Sequence, residues 1–161
     1  MATDLFTDVL MAQGEDGIYD LVLDEATGDF ASTGGLETAI LCSLFSDRRA
    51  EADEVADPWK RRGWIGNLLT DTPADNYGSG LWLYEQRRAT EDVRAALRLE
   101  VIQSLGWIID EGLAIAIDAL VSYEPAKRRV IITVQLTDRF GGTSQHSVTL
   151  WSRTGASTLR N

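Results

Sequence analysis

The chain has one cysteine, one histidine and three prolines in 161 residues. One cysteine excludes an intramolecular disulfide framework. One histidine and one cysteine are too few for a zinc site of the usual nitrogen and sulfur ligands. No apolar run approaches the length needed to span a bilayer. The first residues lack a basic stretch followed by an apolar one, so no secretory leader is expected. A glycine-rich phosphate loop with its lysine is missing, and so is a G-x-S-x-G serine elbow. His146, the sole base for a Ser–His pair, falls in a predicted strand. No cofactor and no metal is expected. Cys42 lies between Leu41 and Leu44 in a predicted helix and reads as a buried thiol, suited to a reducing cytoplasm.

What the chain has in plenty is negative charge. Its net charge is −10, against the basic footprint that nucleic-acid binding requires. Residues 1–57 carry 14 acidic and 2 basic side chains, whereas residues 58–161 carry 11 and 13. Such asymmetry implies either an acidic face for a basic partner or simple solubility. Hydrophobic residues make up 44% of the chain, enough to bury one compact core.

Residues 1–16 show no sustained period and read as an arm, with a short helix at Asp4–Met11. Ile18–Leu23 reads as a strand, Asp24–Asp29 as a turn, and Phe30 as the start of a return strand. Leu36, Ile40 and Leu44 recur every four residues and predict a helix to Ser46. Residues 47–80 carry charge, proline and glycine signals of a long loop, but Trp59, Trp64 and Tyr77 imply that much of it is packed. Ser79 is placed to cap a short helix carrying Leu81, Trp82 and Leu83. Thr90, followed by Glu91 and Asp92, caps a helix predicted over 91–109 with a stripe of Val93, Leu97, Val101 and Leu105. Arg94 and Arg98 fall on its more exposed face. Leu113, Ile115, Ile117, Ala119 and Val121 alternate along one strand, and Val130, Ile132, Val134 and Leu136 along the next. His146, Val148 and Leu150 share one face of a third. The expected fold is a small single α+β domain, with helices on a mostly antiparallel sheet that ends in a strand hairpin. The expected division is an arm at 1–16, a domain at 17–151 and a tail at 152–161.

Three segments stand out: Leu36–Ile40 running on through Ser43–Ala50, Arg61–Asn67, and Gly78–Leu83. In this order they resemble the baseplate wedge proteins of Mu-like contractile-tailed phages, relatives of the sheath-initiator subunit, over roughly Gly17 to Asp138. The Glu-Pro-Arg motif of many sheath initiators is absent; Trp107–Gly112 stands at that junction, in keeping with the Mu-like branch. The resemblance implies a virion protein of the tail baseplate, assembled in the host bacterial cytoplasm. Its implied partners are other wedge subunits, the tail sheath protein and the tail tube or hub, with neither nucleic acid nor membrane. It also implies strand addition at a sheet edge, with the strands at 113–123 and 129–138 as platform.

Arg61, Arg62 and Trp64 are expected to contact a partner, because Trp and Arg dominate interface hot spots. Ile131, Thr133 and Gln135, opposite the buried face of the second strand, are the expected sheath contacts. No enzymatic site is expected. Two rivals stand beside the structural reading. One is a carboxylate-dependent peptidoglycan hydrolase drawing on Glu85, Asp92, Glu100, Asp110 or Glu111. Capping accounts for Asp92, and solvated helix faces for Glu85 and Glu100. The other is a cytoplasmic adaptor.

Overall fold

A computed structural model describes residues 8–14, 18–33, 35–69, 77–85, 87–127 and 129–151. Three strands, β7 (Ala116–Glu124), β8 (Arg129–Thr137) and β9 (Thr143–Trp151), form an antiparallel meander in the order β7-β8-β9. Helices α1 (Glu37–Phe45) and α2 (Glu91–Ser104) and the short α3 (Trp107–Asp110) complete the body. The α+β expectation holds. Ile132 and Val134 on β8 are fully buried, and they share a core with Ile40, Leu44, Val101, Leu105, Ile108 and Val148. That burial follows from the period-2 pattern of the strands meeting the four-residue stripe of the helices.

The N-terminal region departs most from expectation. A helix does not form over residues 8–11, and residues 1–7 lie outside the described residues. Six short strands form instead: β1 (Asp8–Val9), β2 (Met11–Gln13), β3 (Tyr19–Leu21), β4 (Leu23–Asp24), β5 (Asp29–Phe30) and β6 (Ser32–Thr33). They pair as three two-stranded ribbons, β1 with β6, β2 with β3 and β4 with β5. The ribbons meet at a closed triangle of backbone bonds. Leu10 N donates to Ala31 O (2.8 Å), Ala31 N to Val22 O (2.8 Å), and Val22 N to Leu10 O (3.0 Å). Each chain switches partner at this point, which is why no long alternating run marks the region in the sequence.

Other differences have local causes. The helix predicted over 91–109 breaks at Leu105–Gly106 into α2 and α3, where glycine weakens the helix. The break lets Trp107 Nε1 donate to Ser43 Oγ at 3.1 Å. Thr90 caps α2 as expected, accepting from Val93 N at 3.3 Å. Cys42 is exposed, because α1 buries Thr38, Ile40, Leu41, Ser43 and Leu44 and turns position 42 outward. Arg98 stays on the exposed face, as expected, and pairs there with Asp118.

The sheet topology corrects the platform expected at β8. Its residues pair with β7 on one side and β9 on the other, so β8 is central and has no open edge. Asp138 N donates across the turn to Gly142 O at 2.9 Å. Alternate residues of an antiparallel strand bond to opposite neighbours, so this phase sends even-numbered backbone groups of β8 toward β9 and odd-numbered ones, Thr133 included, toward β7. The same phase turns the Ala119 carbonyl out at the far edge of β7, where Arg98 Nε caps it at 2.9 Å. Ile131, Thr133 and Gln135 lie on the sheet face away from the core, half-buried among their neighbours. Proline at Thr133 removes a ladder donor of a central strand, where proline is essentially never found. Thr133→Pro is expected to abolish the cooperative urea transition followed by tryptophan fluorescence.

Candidate functional site

The long loop after α1 is ordered by arginines. Arg48 donates from Nε to Glu100 Oε1 (2.9 Å) and from its outer nitrogens to Glu54 (2.7 and 2.8 Å). Glu100 is only 7% exposed, so the solvated helix face expected for it is wrong; it also accepts from Gly80 N. Burying a carboxylate is tolerable only with a charge partner and bonds to its remaining lone pairs, and this site supplies both. The hydrogen bond from Arg48 holds the Glu54 carboxyl down at about 2, and the bond to Glu54 raises the Arg48 guanidinium further above its ordinary value.

Around this pair the chain packs backbone on backbone. Ser79 N donates to Ser46 O (2.8 Å) and Arg48 N to Ser79 O (3.0 Å), forming a single parallel bridge. The Ser79 hydroxyl donates to Leu44 O and also accepts from Leu81 N at 3.4 Å, at the head of the short turn Leu81–Tyr84, whose cap position is Gly80. Gly78 has φ +109°, and a Cβ there would meet Ser46 O at 2.5 Å. A Cβ on Gly80 would meet Glu100 Oε1 at 2.7 Å. Close approach requires glycine at both positions, and at Gly78 the backbone conformation requires it too. Trp82 Nε1 donates to Arg48 O at 3.0 Å.

Arg62 forms a second brace. It pairs with Asp47 (3.1 Å) and Glu85 (3.3 Å), and its Cζ lies 4.8 Å from the Trp82 ring centroid. Burial lifts the Asp47 carboxyl above its ordinary value, against the pull of the Arg62 charge. Arg62 sits at φ +43°, an unusual backbone region for a residue other than glycine. Arg61 donates to Val55 O at 2.7 Å and Ala56 O at 3.3 Å. Both arginines expected to reach a partner thus bind their own loop. Trp64, the third, is half exposed; its ring lies 5.1 Å from that of Tyr77 and folds over Gly66. Asn67 locks this turn, accepting from Tyr77 N and donating to Tyr77 O, each at 3.1 Å.

With the polar groups turned inward, apolar ones are left outside. Trp59 is 96% exposed, Ile65 71%, Leu68 79% and Leu69 81%. Ile65 and Leu68 are three apart in a 3₁₀ turn, so they share one face. The packing expected of Trp59 is thus overturned; sequence reasoning also named Trp64 but missed Ile65, Leu68 and Leu69, although the run Trp64-Ile65-Gly66-Asn67-Leu68-Leu69 carries the signal of an apolar turn inside a polar loop.

A family model described as Phage protein GP46 matches residues 36–143, more than half of the chain, and those residues include all three segments of the brace. Baseplate protein gp46 of Escherichia phage Mu is 34% identical over 107 residues, spanning 61% of this chain and 72% of that protein. A crystal structure named for a tail lysozyme of Geobacter sulfurreducens overlaps 85% of this chain and all of its own at 16% identity, with a TM-score of 0.45, too loose to inform fold or function.

Two outcomes follow from the brace. Arg48→Met strands the Glu100 carboxylate in the interior and is expected to cost about 3–5 kcal/mol by urea unfolding at neutral pH. The Glu54 contribution is fully present above its ordinary value of 4.5 and is lost as pH falls through about 2. Wild type is therefore expected to exceed Glu54→Gln in stability by about 1–2 kcal/mol at neutral pH, with solvent screening discounted, and the gap should close between those two pH values.

Proposed function

We infer the function from one premise: the chain belongs to the Phage protein GP46 family. It is a structural component of the baseplate of a contractile phage tail or phage-tail-like particle, assembled in the host bacterial cytoplasm and retained in the virion. It joins other wedge subunits. Sheath protein, and tube or hub proteins, complete its surroundings. The working unit is residues 17–151, with the strands of residues 8–14 folded onto it.

One observation supports this reading above the others. A loop braced by two arginine networks, that of Arg48 buried and that of Arg62 nearer the surface, holds Trp59, Ile65, Leu68 and Leu69 out in water. A rigid scaffold that presents apolar side chains is the arrangement of an interface awaiting its partner. In this reading Arg61 and Arg62 set the loop's shape, and Trp64 with its exposed neighbours makes the contact. The chain works by assembly rather than catalysis. Glu85 and Glu100, two of the carboxylates a hydrolase would draw on, are engaged by Arg62 and Arg48.

Sheath initiation by strand addition needs an edge, which here means β7 or β9. The Ala119 carbonyl on β7 is capped by Arg98. On β9 the ladder phase turns the backbone groups of Thr143, Gln145 and Ser147 outward. The sheath arm adds there, and Ile131, Thr133 and Gln135 line the face that flanks it.

Mutant particles test both levels. Antibody against the chain is expected to label one end of purified tails. Leu68→Glu should reduce incorporation severalfold, since it places a charge in a desolvated contact. Gln145→Pro keeps the fold, because its N–H faces outward, and should leave baseplates that incorporate the chain but carry no sheath. Tails that lack the chain would refute the structural reading, as would peptidoglycan turnover lost in a folded Glu85→Gln variant. Normal sheaths on Gln145→Pro baseplates would refute the edge.

A further inference from the structure

We propose that the hairpin of β4 and β5 is a docking arm for a basic segment with an apolar face, supplied by a neighbouring protein. The identity of that neighbour as a baseplate subunit rests on the function proposed above; the surface itself does not.

Of the three ribbons that meet at Leu10, Val22 and Ala31, two are anchored to the body. Met11 and Tyr19 of the β2–β3 ribbon pack on the core, with the Tyr19 ring 5.5 Å from that of Phe45. The β1–β6 ribbon is tied to α1 through Thr38, which donates to Val9 O, and Thr33, which donates to Glu37 at 2.9 Å. The β4–β5 ribbon runs on from the triangle with its apolar face uncovered. Leu23 and Phe30 are directly opposed across the two strands, so their side chains lie on one face. They are 62% and 49% exposed, and Leu21, two residues earlier on the same strand line, is 43% exposed. A two-stranded ribbon is marginal in water unless its face packs against something.

The charge around this face selects the occupant. No lysine or arginine occurs among residues 1–47. Asp24 and Asp29 are directly opposed in the ribbon, a like-charge pairing that a nearby cation relieves. Asp20, Asp24 and Asp29 are fixed by bonds from Leu21 N, Ala26 N and Phe30 N at 2.8–2.9 Å. Alternation sets these carboxylates on the opposite face of the thin ribbon from Leu23 and Phe30, about one Debye length from the apolar row. An anionic membrane or a nucleic acid is repelled by an arm of this charge, whereas a basic segment with an apolar face is drawn to the arm as a whole and covers the row. The hairpin precedes residue 36 and lies outside the part matched by the family model.

The test uses the purified full-length chain and two labelled helical peptides, identical in their leucine face, one flanked by lysines and one by glutamates. Fluorescence anisotropy is expected to show micromolar binding of the lysine peptide, weakened severalfold between about 50 and about 500 mM salt. The glutamate peptide should not bind. Leu23→Ser with Phe30→Ser should weaken binding at least about tenfold, and Leu68→Ser should leave it unchanged. If the double serine variant unfolds, Asp24→Lys with Asp29→Lys decides, because it should exchange the two peptides' preference. Equal binding of both peptides, no binding by wild type, or unchanged binding by the folded variants overturns the proposal. Since no particle is involved, failure here leaves the baseplate reading standing, and tails that lack the chain leave this binding intact.

Discussion

The ion pair between Arg48 and Glu100 is the contact on which the rest of the molecule depends. It joins residues 52 apart in sequence, and the carboxylate end is almost wholly buried. Removing two charges from water is costly, and their attraction inside the protein only roughly offsets that cost. What the pair contributes is geometry. Arginine is a planar fork with several donors, so one side chain can hold Glu100 and Glu54 at once and still leave its own carbonyl for Trp82. Lysine, a single point charge, cannot hold that arrangement. Gly78 and Gly80 follow from the same pair, because no side chain fits between the Ser79 bridge and the buried carboxylate. Three segments scattered along the sequence are in this sense one structural unit.

That unit explains which parts of the fold were legible in the sequence. Elements defined by a period were readable. The α1 stripe, the Thr90 cap and the alternation along β7 and β8 are local patterns, and each formed where the pattern placed it. Glu100 was misread because charge on a helix defaults to solvent. Its position, three residues after the buried Leu97 and next to the buried Val101, places it at the flank of the buried stripe. The partner that makes burial possible has no local signature at all. The N-terminal ribbons failed for another reason: strands of two or three residues are too short to show alternation. The central place of β8 was accessible in principle, since three strands joined by short turns favour a meander. Weight on the β7–β8 pair alone hid it.

The loop shows how composition can single out a segment without fixing which of its atoms face solvent. Tryptophan and arginine together suggested a contact surface, and the segment holds apolar side chains in water. A loop without long regular elements must satisfy its backbone carbonyls somewhere, however, and arginine side chains are the available donors. Arg49, Arg61 and Arg62 each turn a guanidinium to the loop's own oxygens or carboxylates. Apolar side chains have no such use, and those that cannot reach the core remain outside. The same residues that order the loop thereby decide that its outward chemistry is hydrophobic.

Exposed leucines and tryptophan create a hazard for a subunit that must exist free before it is incorporated. Net charge of −10 opposes self-association, because like-charged copies repel over roughly a Debye length. The acidity is concentrated toward the N-terminus, where the β4–β5 ribbon carries its own uncovered apolar face. A basic neighbour would neutralise that protection locally at the moment its apolar face arrives, whereas a second copy of this chain would bring its own acidic ribbon. The charge therefore does two things with one set of residues. It keeps the unassembled protein apart from itself, and it restricts release of that restraint to a partner of opposite sign. The order of events implied is electrostatic approach first and apolar burial second, which suits a particle built by sequential addition of unlike subunits.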